Sequence, residues 1–265
     1  MVSEAAGRSQ AVDEGIRQLY ESGVCLAFIR HGNTLSAAKD HPGGDAEADF
    51  ERVLSDKGRE QARLSAQSFL LGNVITSVPL VVHSTAGRAR QTAELMFGEP
   101  ACEARFGACR RELSFRPANT IYPGVDSRAS PNAELAAAVV ETEKYFSQIS
   151  YAPLSRYFDR GCTEDVWREY AEHVLEEVLS IIDDGLIQRP EVLAIAATEA
   201  KDNSGTYTCV CVFGHAQYSQ ALALRVAMAI GLEMEQVARI AEITLGEAEG
   251  ILVTPSGGVV QLLRK

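Results

Sequence analysis

The sequence predicts an α/β fold: a three-layer α/β/α sandwich with a mainly parallel central sheet and a helical cap insertion. Three observations lead there. The runs 24–29, 79–83 and 207–213 are short and almost wholly apolar, which marks buried strands. Each ends in a polar stretch or a helical pattern rather than in a tight hairpin, and strands interleaved with helices favour a parallel sheet. The length, 265 residues, fits a single domain 1–265 that carries an insertion at about 115–190.

Taken in order, residues 9–22 pattern as an amphipathic helix stopped by Gly23, and Val24–Phe28 opens the first strand. A long polar loop follows, punctuated by Pro42, Gly43 and Gly44. Ser55 is an N-cap for a helix over 56–71 carrying Ala62, Leu64, Ala66, Phe69 and Leu70. The strand 79–83 ends at Ser84–Thr85, and a helix is expected at 86–97. One strand is expected near 104–109, then an irregular run to residue 130. Ser130–Pro131 starts a helix to about 147, and Thr163 caps another to about 184, stopped by Gly185. These two helices carry no motif and are assigned to a cap above the site. Residues 191–197 fit helix or strand equally, and 207–213 is the strongest strand signal in the chain. A helix over 216–231 and a hairpin, 251–253 with 259–262, complete the pattern.

Composition narrows the function. The chain is 46% hydrophobic, enough for an ordinary core, and has no apolar run near the ~18 residues of a membrane span. A net charge of −11 argues against nucleic acid as a partner, which calls for a basic footprint. The N-terminal residues lack the apolar core of a secretory signal, and the six cysteines form no C-x-x-C pair. Reduced thiols in a cytoplasmic protein, with no membrane partner, are the expectation. Zinc-type His and Cys spacings, a P-loop, a G-x-G-x-x-G turn and a G-x-S-x-G elbow are all missing, so neither a metal nor another cofactor is expected.

In a parallel sheet the three strand ends share one edge. That edge collects Arg30 and His31, then Ser84 with Arg88 beyond it, then Gly214 and His215. Arginine forks match phosphate oxygens in pairs, and a helix start near Arg88 adds N–H groups and positive dipole. Neighbouring cations keep an imidazole neutral and therefore nucleophilic, while a second imidazole can carry charge on a transferring phosphoryl group. Gly32 allows close backbone approach. The set suits in-line phosphoryl transfer to a histidine, with water as final acceptor, and calls for a general acid. His83 reads as a core residue, His41 and His173 as surface residues, and Arg90 as solvated or paired. Asn33 and Ser84 are equally suited to capping turns.

The motifs IRHGNT, SDKGREQA, STAGRARQTAE and FGH resemble the histidine phosphatase superfamily, which includes the cofactor-dependent phosphoglycerate mutases. The likeness covers about 24–115 and 207–232. It implies that His31 is phosphorylated, that Arg30, Arg88 and His215 bind the phosphate with a further contact from Asn33, and that Glu112 is the general acid. Asp126 and Glu134 are the alternatives for that acid. Ala216 stands where the family often has glycine, and LSFRPANTIYPG after Glu112 differs from the run that the mutases show there. The implied activity is hydrolysis of a phosphomonoester, on a small phosphorylated metabolite or a phosphoprotein. A mutase-like phosphotransferase and a catalytically silent phosphate-recognising module are the alternatives.

Overall fold

The computed structural model describes residues 2–35, 51–71, 75–98, 114–121, 153–158, 164–186, 193–194, 196, 207–254 and 258–262. Helix α1 (Val2–Glu21) leads into strand β1 (Val24–Arg30). Helix α2 (Asp56–Ala66) is capped by Ser55, whose Oγ accepts from Gly58 N at 3.1 Å, and it runs on into a π-helical turn at Gln67–Leu71. Strand β2 (Ile75–Ser84) and helix α3 (Gly87–Gly98) follow, then β3 (Ser114–Ala118), the short α4 (Ser155–Phe158) and α5 (Glu164–Leu186). Strand β4 (Tyr207–Gly214), helices α6 (Ala216–Ala229) and α7 (Met234–Glu242), and strands β5 (Gly250–Val253) and β6 (Val259–Leu262) close the chain.

The strands form one sheet in the order β3-β2-β4-β1-β5-β6. The first four are mutually parallel, β5 runs antiparallel to β1, and β6 antiparallel to β5. The expected mainly parallel sheet is therefore present. Alternation along β1 separates two cores. Val24, Leu26 and Phe28 face α1, α5, α6 and α7, whereas Cys25, Ala27 and Ile29 face α2 and α3. Cys209 and Cys211 share the second face, as expected of positions two apart, and burial pushes the Cys211 thiol well up from its ordinary value. No helix among the described residues is long and apolar enough to cross a membrane.

Several elements differ from expectation. Strand β2 begins at Ile75 rather than Pro79. Its pairing with β4 shifts register between Ser77 and Leu80, and that irregularity accommodates a proline with no N–H to give the ladder. The third strand is Ser114–Ala118, inside the run read as irregular. It lies at the edge of the sheet, with Arg116 and Pro117 exposed, so no apolar pattern announces it. Helix α5 continues through Gly185 because Leu186 is buried in the core. Helix α7 was not anticipated, although Val237, Ile240 and Ala241 bury one face at helical spacing.

Only stretches of the interval 115–190, expected as a cap, lie among the described residues. Most of it that can be followed is β3, in the sheet, and α5, which packs against α1, α6 and β2 with ten buried residues because its apolar positions recur at helical spacing. Leu193, Ala194 and Ala196, the described part of the ambiguous 191–197, are helical. The expected strand 104–109 and helix 131–147 lie outside the described residues.

Candidate active site

Parallel pairing brings the strand ends together. Arg30 on β1 is the register partner of Gly214 on β4, and His83 on β2 that of Phe213. His31 N donates to Gly214 O at 3.0 Å, tying the two histidine-bearing turns. His215 is the N-cap residue of α6, and Arg88 lies in the first turn of α3.

Arg88 is the centre of the group, 2% exposed. Its Nε donates to His31 Nε2 at 3.2 Å, and its Nη2 lies 3.5 Å from His215 Nδ1. The two imidazole centroids are 5.0 Å apart at 69°. A guanidinium only donates, so both facing nitrogens are acceptors. The remaining protons are then assigned. His31 Nδ1–H donates to Gly32 O at 2.7 Å, and His215 Nε2–H faces Ser84 Oγ at 3.3 Å. Each ring thus turns a lone pair toward Arg88. Burial holds the His31 pKa well below its ordinary value, with the charges of Arg88, Arg30 and Arg52 adding to the effect. His215 is lowered in the same direction, by burial, Arg88, the neighbouring His31, Arg30 and Arg52. Both rings are neutral near pH 7.

Backbone contacts hold the loop after β1. Gly32 N donates to Thr92 Oγ1 at 3.0 Å, and that hydroxyl donates to Arg88 O at 2.8 Å. A Cβ on Gly32 would stand 2.7 Å from Gly58 O, and one on Gly58 only 1.9 Å from Asn33 O. Two glycines thus let the start of α2 lie directly on the loop that carries His31. Arg30 Nη1 donates to Leu245 O at 2.7 Å.

The structure brings Arg30, His31, Asn33, Arg88 and His215 to one edge. Glu112, Asp126, Glu134 and His41 lie outside the described residues. Asn33 is more engaged than its expected role suggests: its Oδ1 accepts from Ser55 Oγ at 2.7 Å and its Nδ2 donates to Glu247 Oε1 at 2.7 Å. His83 is buried, its Nδ1 2.9 Å from Ser84 O, and burial lowers its pKa. His173 is half-buried rather than a surface residue, with Nε2 2.9 Å from Arg8 Nη1 between α5 and α1. Arg90 is exposed and pairs with Glu94 at 3.3 Å.

Two residues at the site were missed. Arg52 is carried on a stem formed by the Thr34–Leu54 bridge, with Leu35 N donating to Val53 O at 3.1 Å, and its charge acts on both histidines. A cation three positions before the Ser55 cap was its only trace in the sequence. Glu247 reaches Asn33 from the turn before β5 and left no local signal.

The family model described as histidine phosphatase superfamily (branch 1) matches residues 26–130, an interval that includes His31, Arg88 and Glu112. No curated protein sequence matches the chain significantly. Among solved structures, the chain is similar to a mycobacterial glucosyl-3-phosphoglycerate phosphatase complexed with VO3, at 19% identity over 90% of this chain and 96% of that one, with a TM-score of 0.43. It is also similar to YhfR of Bacillus stearothermophilus, at 15% identity over 90% and 95% of the two chains, with a TM-score of 0.45. The interval matched by the histidine phosphatase superfamily (branch 1) model takes in His31 and the bridging Arg88 of this cluster, whereas His215 lies beyond it.

Proposed function

We propose that the protein is a phosphomonoester hydrolase acting through a phosphohistidine intermediate, on a small phosphorylated metabolite or a phosphoprotein. The observation that carries this reading is one buried guanidinium donating toward acceptor nitrogens of two neutral imidazoles. The His31 Nε2 lone pair attacks phosphorus, and the P–O bond to the leaving group breaks in line. Arg30, Arg88 and His215 hold the non-bridging oxygens, with the start of α3 adding backbone donors. Asn33 adds a further contact.

Glu112, on the family likeness, gives a proton to the leaving oxygen and then takes one from water. That water attacks phosphorus, breaks the P–N bond and releases inorganic phosphate, returning His31 to its neutral form. No metal or other cofactor enters these steps. The test is rapid quenching after mixing with radiolabelled phenyl phosphate. An acid-labile phosphoryl adduct is expected on the parent, and none on His31→Ala, with a fall in kcat of at least about 10³-fold. Hydrolysis by His31→Ala at the parent rate overturns the mechanism.

A further inference from the structure

The turn Leu245–Glu249 reaches the end of β1 from the far end of the chain. Arg30 N donates to Glu249 O at 2.9 Å, and Ala248 N donates to His31 O at 3.1 Å. Gly246 N donates to Glu249 Oε2 at 3.0 Å and closes the turn. Ala248 is fully buried at φ 58°, in the left-handed region that residues with a side chain rarely adopt. Ser65 Oγ donates to its carbonyl.

The residue before it, Glu247, points inward, its side chain 11% exposed. Its Oε1 accepts from Asn33 Nδ2 at 2.7 Å and its Oε2 from Gln61 Nε2 at 3.0 Å, with Lys57 Nζ at 3.8 Å. Gln61 Oε1 in turn accepts from the backbone N–H of Asn33 at 2.8 Å, which closes a ring of three residues. The carboxylate therefore fixes the plane of the Asn33 amide two residues from His31. It also places an anion, with Lys57 at its outer side, near a pocket where the cations acting on the histidines, among the described residues, are Arg30, Arg52 and Arg88. A pocket built only to collect negative charge would gain nothing from it, because it opposes any second anion on the ligand.

We infer that Glu247 is a positioning and selectivity residue. It orients the Asn33 amide for a phosphoryl group at His31 and repels a second negative charge next to that group. The substrate class is then a phosphomonoester whose leaving group carries no anion adjacent to the phosphate. This deepens the hydrolase reading and rests on it.

Two stable ligands separate the effects. Methylphosphonate has no second anion, and phosphonoacetate carries a carboxylate one carbon away; neither offers a P–O ester bond to break. Calorimetric titration of the full chain should give methylphosphonate the lower Kd by about tenfold, with Glu247→Gln narrowing that ratio at least about fivefold. Asn33→Ala should weaken both ligands and leave the ratio in place. Damage to the fold moves Tm and both Kd values together, whereas loss of the charge moves their ratio.

Hydrolysis of 4-nitrophenyl phosphate is measured on the same preparations. Turnover by the parent with a ratio unmoved by Glu247→Gln overturns the Glu247 assignment alone. The ratio change without turnover by the parent overturns the hydrolase reading alone. Failure of the parent to bind either ligand overturns both.

Discussion

Replacing Arg88 separates its two tasks, bridging and charge. The guanidinium offers Nε to His31 and Nη2 to His215 from one rigid plane. A hydrogen bond to a charged group is worth about 1.5–3 kcal/mol. In Arg88→Lys a single ammonium on a flexible stem can serve one partner, so one such bond is lost and kcat/KM should fall about 10- to 150-fold. In Arg88→Ala both are lost, about 3–6 kcal/mol or roughly 10²–10⁴-fold.

The pH profile distinguishes the two variants. His31 must be neutral to attack, and burial together with Arg88 holds its pKa below the ordinary value, so the parent's acid limb lies below about pH 6.5. Alanine removes the cation and admits water; both changes raise the pKa, and the acid limb moves to higher pH. Lysine keeps the charge and leaves the limb near its parent position. Steady-state kcat/KM on 4-nitrophenyl phosphate, followed from about pH 4.5 to 8, reads both effects. A lysine variant within threefold of the parent throughout, or an alanine variant with an unmoved acid limb, would refute the bridging geometry.

Two structural predictions follow from close packing around the same elements. Gly58→Ala places a Cβ 1.9 Å from Asn33 O, a backbone atom, so the loop after β1 must shift; thermal denaturation should show a loss of about 1–3 kcal/mol or more, accompanied by weaker phosphate binding by calorimetry. Arg225, 4% exposed, ties α6 to α1 and α5 through Asp13 at 2.6 Å and Glu172 at 3.2 Å. Arg225→Ala leaves the buried Glu172 without its cation and should cost about 3–5 kcal/mol in urea denaturation, with Arg225→Met losing less because it restores packing volume.

The parts of the fold legible in the sequence were those buried on both sides. Val24–Arg30 and Tyr207–Gly214 are apolar almost throughout because helices cover both faces, and their polar ends announced His31 and His215. Ser114–Ala118 gave no such signal, since an edge strand with exposed positions has no reason to be apolar. Met234–Glu242 did carry a helical pattern, in Val237, Ile240 and Ala241, but without a side-chain cap to start it. At the site, local motifs reveal residues that a single turn carries, such as Arg88. They do not reveal Arg52, whose place depends on the Thr34–Leu54 bridge, or Glu247, which meets Asn33 across 214 residues. Asn33 itself was legible as a polar residue beside the nucleophile, but not as one whose amide is already tied at both ends.

The strand order has a consequence for how the protein comes to exist at all. Strands β1 and β2 are not neighbours, because β4 lies between them and pairs with both. His31 and Arg88 therefore leave the ribosome long before the strand that will set them side by side has been made. Until the last quarter of the chain emerges, the two early strands are without the central one, and their apolar edges depend on helices or chaperones for cover. Contacts this distant in sequence slow folding, and they make assembly of the site one of its closing events. A fragment limited to residues 26–130 would hold the family's signature and still lack the strand that turns it into a pocket.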